Sequence, residues 1–308
     1  MGVIDCISAG FSAVYRKPAI LVVPIIVDLL LWFTPGISPQ PLIDTLASSG
    51  DSQEVQIASP GSELETSAEG LSEELFTVED LEALGTANLA GILGTQVQSY
   101  LAFPSSGRSD QANINVETWQ GLVLALLLFM LGSVVIGTIY LEMLAQQIKT
   151  GAPWPIREGH LARLASRLLG YIAIVTGIYG LIAAVCVALL VLLPQLVSVI
   201  IFLGVSAAFM ALVYLLVGES ALFLEDLQPI QALKRSIAFA RSHVLQLAGL
   251  AILSAVLALG LQIVLGKVAA HSLGLPPAIF LNASVMTALT FAVMTYYWNH
   301  TQGESTQQ

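Results

Sequence analysis

Fifty-one consecutive residues, Leu168 through Gly218, carry no Asp, Glu, Lys or Arg. A run of that length has few ways to fold. As one helix it would extend roughly 75 Å at about 1.5 Å per residue, well beyond a hydrocarbon core of about 30 Å. Pro194-Gln195 falls near its middle, so the run predicts two membrane spans joined by a tight turn. In lipid such a segment must satisfy its own backbone groups, which a helix does.

The same balance holds along the chain. Hydrophobic residues make up 56%, charged residues only 10%, and mean hydropathy is +0.82; soluble domains carry roughly 25% charge. One soluble core could not hide so much apolar surface. Cys6 and Cys186 are too few and too differently placed for a disulfide framework or a metal site. Arg16-Lys17 followed by Ala19–Phe33 has the outline of a secretion signal. Fifteen amphipathic residues precede it and no A-x-A-like site follows, so an uncleaved anchor is expected.

The fold class expected is all-α: a polytopic membrane helix bundle of about six transmembrane helices with three cytoplasmic interfacial amphipathic helices. The spans expected are Pro18–Thr34, Trp119–Leu144, Leu168–Leu193, Gln195–Gly218, Val244–Leu265 and Pro277–Trp298. The first is the weakest, interrupted by Asp28 and kinked at Pro24, so a tilted or re-entrant course is an alternative. Nine of the eleven bases lie at one set of span ends: Arg16, Lys17, Lys149, Arg157, Arg163, Arg167, Lys234, Arg235 and Arg241. Arg108 and Lys267 lie at the other. That bias predicts a multi-pass protein of the cell membrane with both termini in the cytoplasm. Trp119, Tyr140, Tyr171, Tyr214 and Tyr296-Tyr297-Trp298, near span ends, are expected to form an interfacial aromatic belt.

Three regions follow. Residues 1–37 hold an interfacial helix and the first span, 38–118 an acidic extracytoplasmic segment, and 119–308 the other five spans with two amphipathic helices and a short tail. The acidic segment carries thirteen acids and one base, a net charge of −12 that exceeds the chain's −10. Ser48–Glu74 is rich in Ser, Gly and Glu, a composition that forms no core. Thr77-Val78-Glu79-Asp80 then signals a helix start, followed by Leu81, Leu84, Ile92, Leu93 and Val97 at helical spacing. A solvated cover over the bundle is the expected role, and no calcium-loop spacing is present.

The amphipathic segments repeat one design. Ile4, Ile7, Phe11 and Val14 have the same spacing as Ile230, Leu233, Ile237 and Ala240, and Leu161, Leu164 and Leu168 give a shorter version. Bases accompany each stripe: Arg16 and Lys17, then Arg163 and Arg167, then Lys234, Arg235 and Arg241. This predicts helices in the inner headgroup layer, apolar side down, bases on anionic lipid headgroups, the partners expected here.

The third segment also carries a resemblance. Glu219-Ser220-Ala221, then Glu225-Asp226-Leu227-Gln228-Pro229-Ile230-Gln231-Ala232-Leu233-Lys234-Arg235-Ser236 and Phe239-Ala240-Arg241, resembles a stretch found in uncharacterised bacterial six-span membrane proteins. They include the membrane domain attached to some glycerophosphodiester phosphodiesterases. Val23–Trp32 is similar to a first-span pattern there. The specific likeness covers about 35 residues, although the layout of the whole chain agrees. It implies fold and membrane location; with no hydrolase domain attached, it implies no catalytic activity.

Three carboxyls form the candidate intramembrane polar set: Asp28, Glu142 and Glu219. Asp28, about nine residues into the first span, is a functional-site hypothesis by default. It could carry a proton or cation beside the carbonyl freed by Pro24, or it could bond a neighbouring span and serve packing. Glu142 and Glu219 are expected to pair with Lys149 and the Lys234-Arg235 helix, pinning helices together. Gln246, Gln262 and Asn282 suit inter-helix hydrogen bonds. Ser284, Ala288 and Ala292, Ser133 and Gly137, and Gly249 with Ala251 and Ala255 suit close helix approach. His160, His243, His271 and His300 lack metal spacing, and no P-loop, G-x-S-x-G or H-E-x-x-H occurs. No cofactor or nucleic-acid partner is implied. The function expected is a non-enzymatic membrane scaffold or lipid-associated factor; the alternative is a small transporter or channel working through Asp28.

Overall fold

The computed structural model describes residues 2–33, 37–38, 41, 114–116, 118–152, 159–269 and 274–305. It is an all-α membrane-type bundle. In chain order it has α1 (Val3–Arg16), a 3-10 turn (Pro18–Leu21), α2 (Val22–Phe33), α3 (Trp119–Thr150), α4 (His160–Leu192) and α5 (Val197–Leu215). It continues with α6 (Gly218–Leu224), α7 (Pro229–Ala269) and α8 (Leu275–Ser305). A two-residue parallel ladder, β1 (Ile37–Ser38) on β2 (Ile114–Asn115), joins the two ends of the acidic segment. The helix expected after Thr77 lies outside the described residues, as do Arg108, Arg157 and His271.

Among the described residues five helical segments are long and apolar enough to cross a membrane: Trp119–Thr150, His160–Leu192, Val197–Leu224, Pro229–Val268 and Leu275–Gln302. The first apolar segment, Pro18–Leu31, is too short for that, at about 1.5 Å per residue against a core of about 30 Å. Its expected kink is also absent at Pro24. Pro24 stands in the first turn of α2, where an N–H has no intrahelical acceptor and proline is tolerated. The break falls earlier, at Lys17, whose φ of −137° and ψ of 76° suit a residue that precedes proline.

The turn at Pro194 forms as expected, as a 3-10 turn over Pro194–Leu196 between α4 and α5. Sequence signals also set the ends of α3. Thr118 accepts from the Gly121 N–H at 3.1 Å, and Gly151 closes the helix at φ 72°, which costs glycine little.

α8 is the hub. Two-thirds of its most apolar stretch is buried, against none of that of α4. Gly10 of α1 lies so close to it that a Cβ there would sit 2.2 Å from the Ala288 carbonyl oxygen. Cys6 lies near Tyr296, so α1 and α8 run in opposite directions. Ala288 and Ala292 of α8 are buried at this seam. Ser133 and Gly137 are buried in α3, as their spacing predicts, whereas Gly249 has nothing near the place of a Cβ.

The three amphipathic segments take different forms. The second is the first turns of α4, continuous with its span. The third is the start of α7, separated from its span at His243, which has non-helical φ −128° and ψ 25°. The cause is local: Ser242 Oγ and His243 Nδ1 both approach the Phe239 carbonyl, at 2.9 and 3.2 Å, and compete with the helix ladder. The first, α1, is a separate helix packed along α8. Its bundle face is the stripe Cys6, Gly10 and Val14; Ile7 joins it, while Ile4 and Phe11 of the expected stripe face outward with Tyr15. The start of α7 copies this offset by 226 residues, burying Ala232, Ser236 and Ala240 and exposing Ile230.

Candidate functional site

Three polar centres interrupt the apolar interior. The first ties the basic ends of the helices together. The turn after α6 holds Glu225 and Asp226, the latter at φ 54°, a left-handed conformation that Asp tolerates. Arg167 of α4 pairs with the Asp226 carboxylate and donates to its backbone carbonyl at 2.9 Å. Arg235 of α7 lies 3.6 Å from Glu225, and the Tyr297 hydroxyl of α8 donates to the same carboxylate. Lys149 of α3 donates to the Phe223 carbonyl at 2.8 Å. Four long helices therefore converge on residues 223–226.

This node revises two expectations. The pinning carboxylates are Glu225 and Asp226; Glu142 instead accepts from Gln146 at 2.8 Å, one turn away. The run Glu225-Asp226 signals a helix start, and the bases at neighbouring span ends were the available clue to its second role. The headgroup-contact set also divides. Arg167 and Arg235 are committed to the node, whereas Arg16, Lys17, Arg163, Lys234 and Arg241 form no ion pair among the described residues.

The aromatic belt is corrected as well. Tyr140, Tyr171, Tyr296 and Tyr297 are buried in the core, and each hydroxyl donates inside the bundle: to Thr287, to the Leu215 carbonyl, to Gln246 and to Glu225. A buried phenol must find an acceptor, and neighbouring helices supply it. Trp119 is exposed, as a belt residue would be. Tyr296 also packs in an aromatic group with Phe239, His243 and His300 at the α7 bend.

The second centre is Asp28. It is fully buried, and Asn282 of α8 donates to its carboxyl at 3.2 Å. The pair joins α2 to the hub helix, and it does not line the cavity that forms the third centre.

That cavity holds about 110 Å³ between α3, α5, α6, α7 and α8. Its polar lining is Glu219, Ser220, Ser254 and Thr290; the rest is apolar, including Leu212, Leu216 and Val293. Glu219 makes no hydrogen bond or ion pair among the described residues. Ser254 Oγ is buried with no partner. The Thr290 hydroxyl donates to the Met286 carbonyl at 3.0 Å and also lies within hydrogen-bond reach of the Tyr140 hydroxyl. Of the three candidate carboxyls, Asp28 and Glu142 are thus held by amide groups and Glu219 faces open space.

Comparison with protein-family models, curated proteins and solved structures found no match. Among the described residues no group of three or more His, Cys, Asp or Glu side chains is placed to hold a metal ion.

Proposed function

We propose that this chain is a non-enzymatic membrane factor that associates with anionic lipid through a basic rim at its cytoplasmic side. One observation carries the reading: several bases left outside ion pairs stand on exposed helix surfaces that also carry exposed apolar side chains. On α1, Ile4 and Tyr15 are 77% and 90% exposed beside Arg16. On α7, Ile230, Lys234 and Arg241 point the same way. Apolar groups that enter acyl chains next to cations that meet headgroups are what an interfacial site requires. Each such base contributes about 1 kcal/mol near an anionic surface.

The Lys and Arg bias supports cytoplasmic placement of this rim, and the likeness of the Glu219–Arg241 stretch to bacterial six-span proteins supports a bacterial cell membrane. The intramembrane polar groups suit holding helices together: Asp28 is engaged by Asn282, which favours packing over transport for that residue.

The test is lipid selectivity. The full chain is reconstituted in nanodiscs of mixed phosphatidylcholine and phosphatidylglycerol, and co-purifying lipid is counted by native mass spectrometry. Enrichment of the anionic lipid is expected, lost on joint substitution of Arg16, Arg163, Lys234 and Arg241 by Gln. Arg167→Gln and Arg235→Gln should lower thermal stability and leave the enrichment intact. Equal lipid composition in wild type and quadruple variant would overturn the reading.

A further inference from the structure

We propose that the Glu219 cavity is a binding site for a primary ammonium group carrying a short apolar tail. The partly buried Glu219 carboxyl lines a half-open recess of about 110 Å³ and has no base opposite it among the described residues. Of the bases that its sequence position suggests, Lys149 is engaged by the Phe223 carbonyl and Arg235 by Glu225, and Lys234 forms no ion pair among the described residues. Three hydroxyls share the lining, and the buried Ser254 Oγ lacks a partner. A buried polar atom without a bond costs free energy that a ligand donor would recover.

The chemistry of the lining selects the ligand. Carboxylate and hydroxyl oxygens accept hydrogen bonds, and an ammonium offers three donors and no acceptor. Leu212, Leu216 and Val293 make the remaining wall apolar, so a bare ion would meet few ligands there while an alkyl tail would be accommodated. An engineered apolar cavity of about 150 Å³ accepts benzene, so five to seven heavy atoms are of the right order here. Leu212 lines the space and is 43% exposed on α5, which puts the thinnest wall toward the lipid-facing side. The ammonium could thus reach the site as a free amine or as the ethanolamine headgroup of a phospholipid. Nothing in this site depends on the basic rim, so either reading can fail alone.

The experiment uses the purified full chain in a nonionic detergent, with n-hexylammonium as probe and n-hexanol as its uncharged counterpart. Saturation-transfer NMR is expected to show saturable hexylammonium binding that hexanol does not displace. Glu219→Gln should weaken it at least about tenfold, since removing one partner of a buried charge pair costs more than 1.4 kcal/mol. Ser254→Leu, which fills the space and keeps the carboxylate, should abolish it and serves if Glu219→Gln fails to fold. Absence of saturable binding, equal binding by both variants, or displacement by hexanol at equal concentration would overturn the proposal. The source is read by repeating the titration in nanodiscs. Weaker hexylammonium binding in phosphatidylethanolamine than in phosphatidylglycerol discs assigns the site to the headgroup; equal binding assigns it to a free amine.

Discussion

Gly218 opens α6 where the Tyr171 ring crosses, and a Cβ there would lie 1.9 Å from the phenol oxygen. That hydroxyl is fixed by its bond to the Leu215 carbonyl at 2.8 Å, so the ring cannot easily yield. Gly218→Ala is therefore expected to cost about 1–3 kcal/mol, read as a lowered unfolding temperature in detergent and largely restored by Tyr171→Leu in the same chain. Asp28 is open to a second measurement. Asp28→Asn should keep wild-type stability, because an amide can still accept from Asn282. Asp28→Leu strands that buried amide at a cost of about 1–3 kcal/mol, and Asp28→Leu with Asn282→Leu should recover most of it; no recovery would mean that the pair is not the relevant contact. The need for a bonded partner at Asp28 was legible, since a carboxyl in an apolar run demands one. Its identity was not, because 254 positions separate Asp28 from Asn282 and no local pattern links them. The same reason hid the fate of the tyrosines: a phenol near a span end is equally at home in headgroups or against another helix's carbonyl.

Elements were read best where the signal is chemical and continuous. The charge-free run placed α4, its turn and α5, and the apolar run from Trp119 marked the start of α3, because hydropathy acts within a few residues. Helix faces were read less well. The large side chains of α1 suggested one apolar face, Ile4, Ile7, Phe11 and Val14, turned to lipid, yet the helix also has a bundle side: close approach to α8 requires small residues, and Cys6 and Gly10 take that side with Val14, while Ile4 and Phe11 stay exposed. This geometry predicts a chemical readout. Burial pushes the Cys6 thiol above its ordinary range, chiefly by desolvation, with Asp5 adding to the rise and the N-terminal amine opposing it. The thiolate is the reactive form, so Cys6 should resist N-ethylmaleimide near neutral pH in a Cys186→Ala background. Gly10→Leu should pry α1 from α8 and make Cys6 react at least several-fold faster. Unchanged labelling would show that α1 does not depend on this contact.

At the scale of the molecule, the segments hold together at one end. Lys149, Arg167, Arg235 and Tyr297 gather four long helices at residues 223–226, while exposed apolar side chains cover the half of α4 and α5 around their turn. A chain built this way has its polar fastening at the basic end and leaves the other end to lipid. The charge bias then yields a topological prediction. A green fluorescent protein fused after Gln308 should fluoresce, alkaline phosphatase fused there should be inactive, and the same phosphatase inserted within residues 42–113 should be active. The inverse pattern would place the basic rim on the outside.

The seam between α1 and α8 also has a consequence for biosynthesis. Gly10 and Ala288 are 278 positions apart (288 − 10). At about 5–20 residues per second the ribosome needs roughly 14–56 s to make the second after the first. Throughout that interval the nascent amino-terminal helix has a tight-fitting groove on one side and no helix yet made to occupy it. Until α8 is made, that face has to be covered by something other than its final neighbour, so α1 reaches its place only after α8 has followed it.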